Sequence, residues 1–111
     1  LLDVIENTLN NYLEFMEDRL IDLYPYRYYF GVPAPSLAND GSIDQTRIDM
    51  IKNFNLQFKS SVLSRSAYFV DVYRLTANAN GINNNQYMCD GVHLNYESIE
   101  LLLKNYLVKK V

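Results

Sequence analysis

Two short apolar runs, each lying between longer helical patterns, constrain the fold of this chain more than any other feature. The runs cover residues 28–32 and 67–72, and both are rich in aromatic and β-branched side chains. Runs of this length and composition are typical of strands that are buried on both faces. Strands alternating with helices favour an α/β fold in which parallel strands are joined by right-handed crossovers.

Three segments have the apolar spacing of amphipathic helices. The first covers residues 2–22, the second about 44–60, and the third follows Asn95 as its cap. Pro25 is expected to end the first helix, because its ring disfavours helical geometry in the preceding residue. Ser42 and Gln45 have the spacing of a capping box for the second helix. The predicted core-facing residues are Leu2, Ile5, Leu9, Tyr12, Leu13, Met16 and Leu20, then Ile48, Ile51, Phe54 and Phe58, then Ile99, Leu102, Leu103, Tyr106 and Leu107.

Residues 76–86 connect the second apolar run to the last helix. They include five asparagines around Gly81 and are expected to form a long surface loop. The predicted order is helix, strand, helix, strand, helix, and two parallel strands do not make a stable sheet by themselves. We therefore expect a sheet edge to pair with a second copy in a homo-oligomer, with a swapped element or with a missing half of the domain.

Composition excludes several functional classes. Ten Lys and Arg residues against thirteen Asp and Glu residues give a net charge of -3, and without clustered cations the chain is not expected to bind nucleic acid. No segment has the roughly 18 uncharged apolar residues of a membrane span. With a single cysteine and a single histidine, the chain is predicted to have no internal disulfide, no metal centre and no cofactor. Because the chain begins at Leu1 without Met, we interpret it as a piece of a longer protein.

Residues 90–95, Asp-Gly-Val-His-Leu-Asn, are the one stretch in which local geometry places groups suited to base catalysis. An aspartate three residues before a histidine, across a glycine turn, can reach the imidazole Nδ1 and leave Nε2 free to accept a proton. Asp90 and His93 are therefore the candidate catalytic residues. The alternative is an exposed histidine near a helix start, with Asp90 serving only the turn. Position favours catalysis, because ligand crevices in open α/β sheets lie beyond the carboxyl ends of strands.

The cysteine and the serines of this chain do not have the placement of a catalytic nucleophile. Cys89 adjoins the Asp-His stretch, but adjacency in sequence does not supply the facing geometry that a nucleophile and its base require. We expect Cys89 to be a small buried hydrophobe. Seven serines occupy positions typical of turns, caps or helix surfaces, and none is predicted to be a nucleophile: Ser36, Ser42, Ser60, Ser61, Ser64, Ser66 and Ser98.

The second apolar run, the variable loop, residues 90–95 and the closing helix together resemble the carboxyl-terminal block of the SGNH or GDSL-type esterase and lipase superfamily. Residues 31–35, Gly-Val-Pro-Ala-Pro, are similar to a strand of that family that ends in a proline-containing loop. The resemblance covers all 111 residues as a single partial domain, the second half of a three-layer α/β/α, flavodoxin-like fold. It implies that Asp90 is the acid of a Ser-His-Asp triad and that His93 is the general base.

The chain departs from this family in one respect. The Gly-Asp-Ser block that carries the nucleophile does not occur here, and the family's oxyanion Gly and Asn also lie upstream of this region. The resemblance thus implies a serine acyl-ester hydrolase whose nucleophile lies outside this chain, so that the chain alone is inactive. The implied substrate is an acyl ester, including acylated carbohydrates. The alternative is a non-catalytic SGNH-like module that pairs with a partner through its sheet edge.

Overall fold

The computed structural model describes residues 2–20, 26–90 and 93–108. These ranges form a mixed α/β structure, which confirms the predicted class. In chain order the elements are α1 (Leu2–Leu20), β1 (Tyr28–Phe30), α2 (Gln45–Ser64), β2 (Tyr68–Val70), α3 (Val72–Thr76), α4 (Tyr96–Asn105) and β3 (Leu107–Val108). None of the helices in the described ranges combines the length and the apolar character that a membrane crossing requires.

The strands form one sheet in the order β1-β2-β3. β1 and β2 are parallel, as predicted, and Tyr29 lies opposite Phe69. Because neighbouring strand residues face opposite sides of a sheet, Phe69 and Val70 belong to different clusters. Phe69 packs with residues of α1 and α2, whereas Val70 packs with Leu102 of α4. Helices therefore contact both faces of the sheet.

The chain contains a third strand that its sequence pattern does not indicate. We expected Leu107 on the face of the last helix, and this prediction is wrong. α4 ends at Asn105, and the Asp71 N–H then donates to the Tyr106 carbonyl at 3.0 Å. This bond directs the chain antiparallel to β2, where Leu107 lies opposite Val70. β3 therefore covers the edge of β2 that lies away from β1.

Burial along β1 alternates, so the prediction of a strand buried on both faces is wrong. Tyr29 is buried, whereas Tyr28 is 47% exposed and Phe30 is 37% exposed. The α1 and α2 side chains cover only the face that carries Tyr29. Tyr28 stacks on Tyr68 of the neighbouring strand with ring centroids 5.0 Å apart, which shields part of the other face.

The outer edge of β1 carries backbone groups that do not pair with β2. The Gly31 N–H donates to a β2 carbonyl at 3.0 Å, and the Arg27 carbonyl accepts from a β2 N–H at 2.9 Å. In a parallel ladder the backbone groups of alternate residues point to opposite edges. Those of Tyr28 and Phe30 therefore point away from β2, and no described strand lies on that side.

The first helix begins as predicted. Leu9 and Leu13 are buried at the centre of the core cluster. The expected helix end at Asp22 and the stop at Pro25 lie outside the described residues, as do the side chains of Leu2 and Leu20.

The start of α2 differs from the predicted capping box. The N-cap is Asp44, whose side chain accepts the Arg47 N–H at 3.1 Å. Ser42 instead donates both its N–H and its hydroxyl to the Asp40 carboxylate, because that aspartate lies in the turn just before it. α2 also extends four residues beyond the predicted end at Ser60, to Ser64.

The second apolar run is a strand only as far as Val70. Asp71 ends it, because its side chain accepts the Arg74 N–H and caps α3. This five-residue helix was not predicted. It places Thr76, which is fully buried, behind the segment that follows β1.

Buried polar side chains hold the segment that follows β1. The Thr76 Oγ1 accepts the Ala34 N–H at 2.9 Å, and the Asn83 Nδ2 donates to the Ala34 carbonyl at 3.0 Å. In the same way, the Asn55 Oδ1 accepts the Val32 N–H and the Asn55 Nδ2 donates to the Val32 carbonyl. Residues 76–86 were expected to lie on the surface, but Thr76, Ile82 and Asn83 are buried. The expectation fails because the Thr76 and Asn83 side chains satisfy the backbone of Ala34 in another segment.

Candidate functional site

The two predicted catalytic residues lie at the end of a short hairpin between the asparagine-rich loop and α4. Met88 and Leu94 form an antiparallel bridge across its arms. The Cys89 N–H donates to the His93 carbonyl at 2.9 Å. The hairpin thus brings Asp90 and His93 together, although residues 91–92 of the motif lie outside the described residues.

Both carboxylate oxygens of Asp90 contact His93. Oδ2 lies 2.7 Å from the imidazole Nδ1, and Oδ1 accepts the backbone N–H at 2.7 Å. A carboxylate on Nδ1 favours the tautomer with its proton on that nitrogen, so that Nε2 is free to accept a proton. The second contact fixes the carboxylate relative to the histidine backbone. The structure therefore contains the orientation that general-base catalysis requires, and the catalytic role itself stays a prediction.

The pair is open to solvent. The His93 side chain is 74% exposed and that of Asp90 is 53% exposed. A contact between two exposed polar groups contributes little to stability, because water competes for both partners. Hydrolytic sites usually exclude water around the reacting groups. The described residues thus form an oriented acid and base without a cover.

The described residues do not place a nucleophile against His93. No described serine is hydrogen-bonded to its ring, and Ser98 is buried with its hydroxyl on the Asn95 carbonyl. Cys89 is exposed, so the prediction that it is buried is wrong. Its position on a solvent-facing hairpin arm explains the difference. The described ranges also contain no cluster of three or more His, Cys, Asp or Glu side chains arranged to hold a metal ion.

Two apolar clefts lie beside β1 and the segment that follows it. One, of about 540 Å³, lies beside the first half of α2 and is lined by Ile5, Val32, Arg47, Met50, Ile51, Asn53 and Phe54. The other, of about 580 Å³, is lined by Thr8, Leu9, Tyr12, Tyr28, Tyr29, Phe30, Val32, Phe54 and Phe58. Neither lining includes Asp90 or His93. The clefts share Val32 and Phe54, so they form one continuous apolar surface.

The asparagine-rich loop lines a polar cleft of about 610 Å³ together with Ser36, Leu37 and Ile43. Tyr73 fixes this loop, because its hydroxyl donates to the Gly81 carbonyl at 2.9 Å. Partial burial and the nearby Asp49 carboxylate raise the pKa of Tyr73 above 10.0, which keeps this donor protonated. Gly81 has a φ of +84°, a left-handed backbone conformation that glycine adopts readily.

Sequence reasoning predicted Asn95 as a helix cap, and this is confirmed. Its Oδ1 accepts the Ser98 N–H at 3.0 Å. A second role was missed: its Nδ2 donates to the Gln86 carbonyl at 3.2 Å, across the hairpin. A sequence pattern indicates a cap from local spacing, but it does not indicate a bond to a residue nine positions earlier.

Comparison with known proteins does not identify a relative. No protein-family model, no curated protein and no solved structure matches this chain.

Proposed function

We propose that this chain supplies the acid and the base of a serine acyl-ester hydrolase of the SGNH type. The observation that carries the proposal is the 2.7 Å contact between the Asp90 carboxylate and the His93 Nδ1. The carboxylate orients the imidazole, and Nε2 takes part in no described hydrogen bond. The proposed nucleophile is a serine that lies outside these 111 residues.

The proposed reaction has two halves. In the first, the His93 Nε2 takes the proton of the serine hydroxyl while the serine oxygen attacks the ester carbonyl. The imidazolium then gives that proton to the departing alcohol, which leaves an acyl-serine. In the second half a water molecule attacks the acyl-serine while the His93 Nε2 takes its proton. The bond from the acyl carbon to the serine oxygen then breaks, the imidazolium returns the proton to that oxygen, and the carboxylic acid is released. Asp90 stays ionised throughout and stabilises the imidazolium.

The proposed fold is the three-layer α/β/α arrangement of that superfamily, of which this chain forms one part. The open edge of β1 supports it, because the backbone groups of Tyr28 and Phe30 are available to a further strand. α1 also leaves Val4, Tyr12 and Phe15 exposed, and Tyr12 lines the cleft that contains the β1 side chains. A strand beside β1 and a helix beside α1 would cover both features.

The test measures hydrolysis of an aryl acetate by the full-length protein that contains this chain. His93→Ala is expected to lower kcat by about 10⁶-fold and Asp90→Asn by about 10⁴-fold, as for other serine triads. Glu100→Gln is the matched control, because it removes an exposed carboxylate of α4 that pairs with Lys104 and not with His93. The 111-residue chain alone is expected to be inactive. Equal turnover in the wild type and in His93→Ala contradicts the assignment.

The second candidate is a non-catalytic module that binds a partner through the β1 edge. The open edge and the strong solvent exposure of His93 favour it. The two functions differ in one measurement: a catalytic protein forms an acyl-enzyme with an aryl ester, which appears as a burst of released alcohol. A full-length protein without a burst and without turnover favours the module.

A further inference from the structure

Asn95 connects the start of α4 to the hairpin arm that leads to Asp90. Its Oδ1 accepts the Ser98 N–H at 3.0 Å and caps α4. Its Nδ2 donates to the Gln86 carbonyl at 3.2 Å, and its backbone N–H donates to the Tyr87 carbonyl at 2.8 Å. The first contact lies on the α4 side of the hairpin, and the other two lie on the arm that leads to Asp90.

We infer that Asn95 is a positioning residue that holds His93 against Asp90, and this inference rests on the proposed function. The Met88–Leu94 bridge closes the two arms through two backbone bonds, one from the Cys89 N–H to the His93 carbonyl and one from the Asn95 N–H to the Tyr87 carbonyl. At Asn95 the second arm continues into α4, and its side-chain amide adds one further bond to the first arm.

α4 provides the rigid support for this arrangement. Ser98 and Leu102 are fully buried, and Leu102 packs against Val70 of the central strand. Tyr87 and Leu94 pack against the same cluster, one from each arm. The base of the hairpin is therefore fixed to the core, whereas its outer end, with Asp90 and His93, is exposed. A side chain that joins the arms at the base limits how far they separate at the outer end.

Two substitutions separate this role from helix capping. Asn95→Ser keeps an N-cap oxygen for the Ser98 N–H but lacks the amide that donates to the Gln86 carbonyl. Asn95→Asp also keeps the cap, and it places an oxygen where the amide nitrogen faces that carbonyl. Because serine, aspartate and asparagine are comparable N-caps, we expect α4 to remain folded in both variants.

The test uses the full-length protein that contains this chain and two NMR readouts. In both variants the Cys89 amide is expected to exchange about five-fold faster, the effect of one ordinary hydrogen bond, while the Leu102 amide in α4 is unchanged. The imidazole ¹⁵N shifts are expected to show a smaller population of the Nδ1–H tautomer than in the wild type. Glu97→Gln is the control, because it changes α4 beside Asn95 without touching the hairpin bonds.

The outcomes distinguish this inference from the proposed function. Wild-type exchange at Cys89 and wild-type tautomer populations in both Asn95 variants overturn the inference and leave Asn95 as a cap only. A wild-type chain in which the Nε2–H tautomer dominates refutes the proposed base, whatever the Asn95 variants show. If a variant unfolds α4, faster exchange at Leu102 reveals it, and a capping role alone then explains the result.

Discussion

Replacing Asn55 by alanine is expected to destabilise the chain strongly, because one side chain satisfies two backbone groups. The Asn55 Oδ1 accepts the Val32 N–H at 2.8 Å, and its Nδ2 donates to the Val32 carbonyl at 2.9 Å. Asn55 is buried on α2, and Val32 is half-buried just beyond β1. The substitution removes both bonds and leaves a donor and an acceptor partly shielded from water.

The magnitude follows from these two groups. A buried donor or acceptor that loses its partner costs about 1–3 kcal/mol, and the half-burial of Val32 lets water recover part of this, so we expect a loss of about 2–4 kcal/mol. The unfolding entropy of a chain of 111 residues is roughly 0.23 kcal/mol/K near 60 °C. The expected decrease in Tm is therefore about 9–17 °C.

The assay is thermal unfolding followed by circular dichroism at low ionic strength. The matched control is Asn53→Ala, which removes the same side chain from an exposed position of the same helix. Both variants gain the same helix propensity, so the difference between them reports the loss of a buried amide together with its two bonds to Val32. A Tm for Asn55→Ala within about 4 °C of the control, roughly 1 kcal/mol, would refute the reasoning. The Val32 backbone would then be satisfied without this amide.

Two further predictions concern polar groups of the connecting segments. Thr76→Val keeps the shape of a fully buried side chain but leaves the Ala34 N–H without its acceptor, so urea denaturation is expected to show a loss of about 1–3 kcal/mol. Thr8→Val, at an exposed position of α1, is the control, and equal stabilities of the two variants contradict the prediction. The hydrogen bond from the Ser42 hydroxyl, and to a smaller extent the one from its backbone N–H, lower the pKa of Asp40 below 3.8. These bonds therefore stabilise the folded state above that pH, and this stabilisation is lost as the pH falls through the lowered pKa. A carboxyl NMR titration is expected to show a higher midpoint in Ser42→Ala, and an unchanged midpoint argues against this cause.

The parts of the fold with regular periodicity were predictable from the sequence. The buried positions Leu9, Leu13 and Ile48 follow from helical spacing, because one apolar face must pack against the sheet. The contact between Asp90 and His93 was also predictable, since a separation of three residues limits how far apart the two side chains can be.

The remaining features depend on contacts that local patterns do not encode. Leu107 continues the apolar spacing of α4, so only its pairing with Val70 places it in a strand. Asn55 and Asn83 are polar residues whose burial becomes favourable only when a backbone segment far along the chain meets their amides. Such positions are assigned by tertiary structure, and a single sequence treats them as surface.

The three residues of β1 have a consequence for the behaviour of this chain in concentrated solution. Tyr28, Tyr29 and Phe30 carry no charge and no proline, the two features with which natural edge strands discourage self-association. An edge that no described strand covers is a template for any extended chain, including an unfolded copy of itself. The solubility of the 111-residue chain is therefore expected to depend on this strand more than on its net charge of -3. Phe30→Lys would place a charge on the face of β1 that carries the exposed Phe30 side chain, without touching the buried side chain of Tyr29.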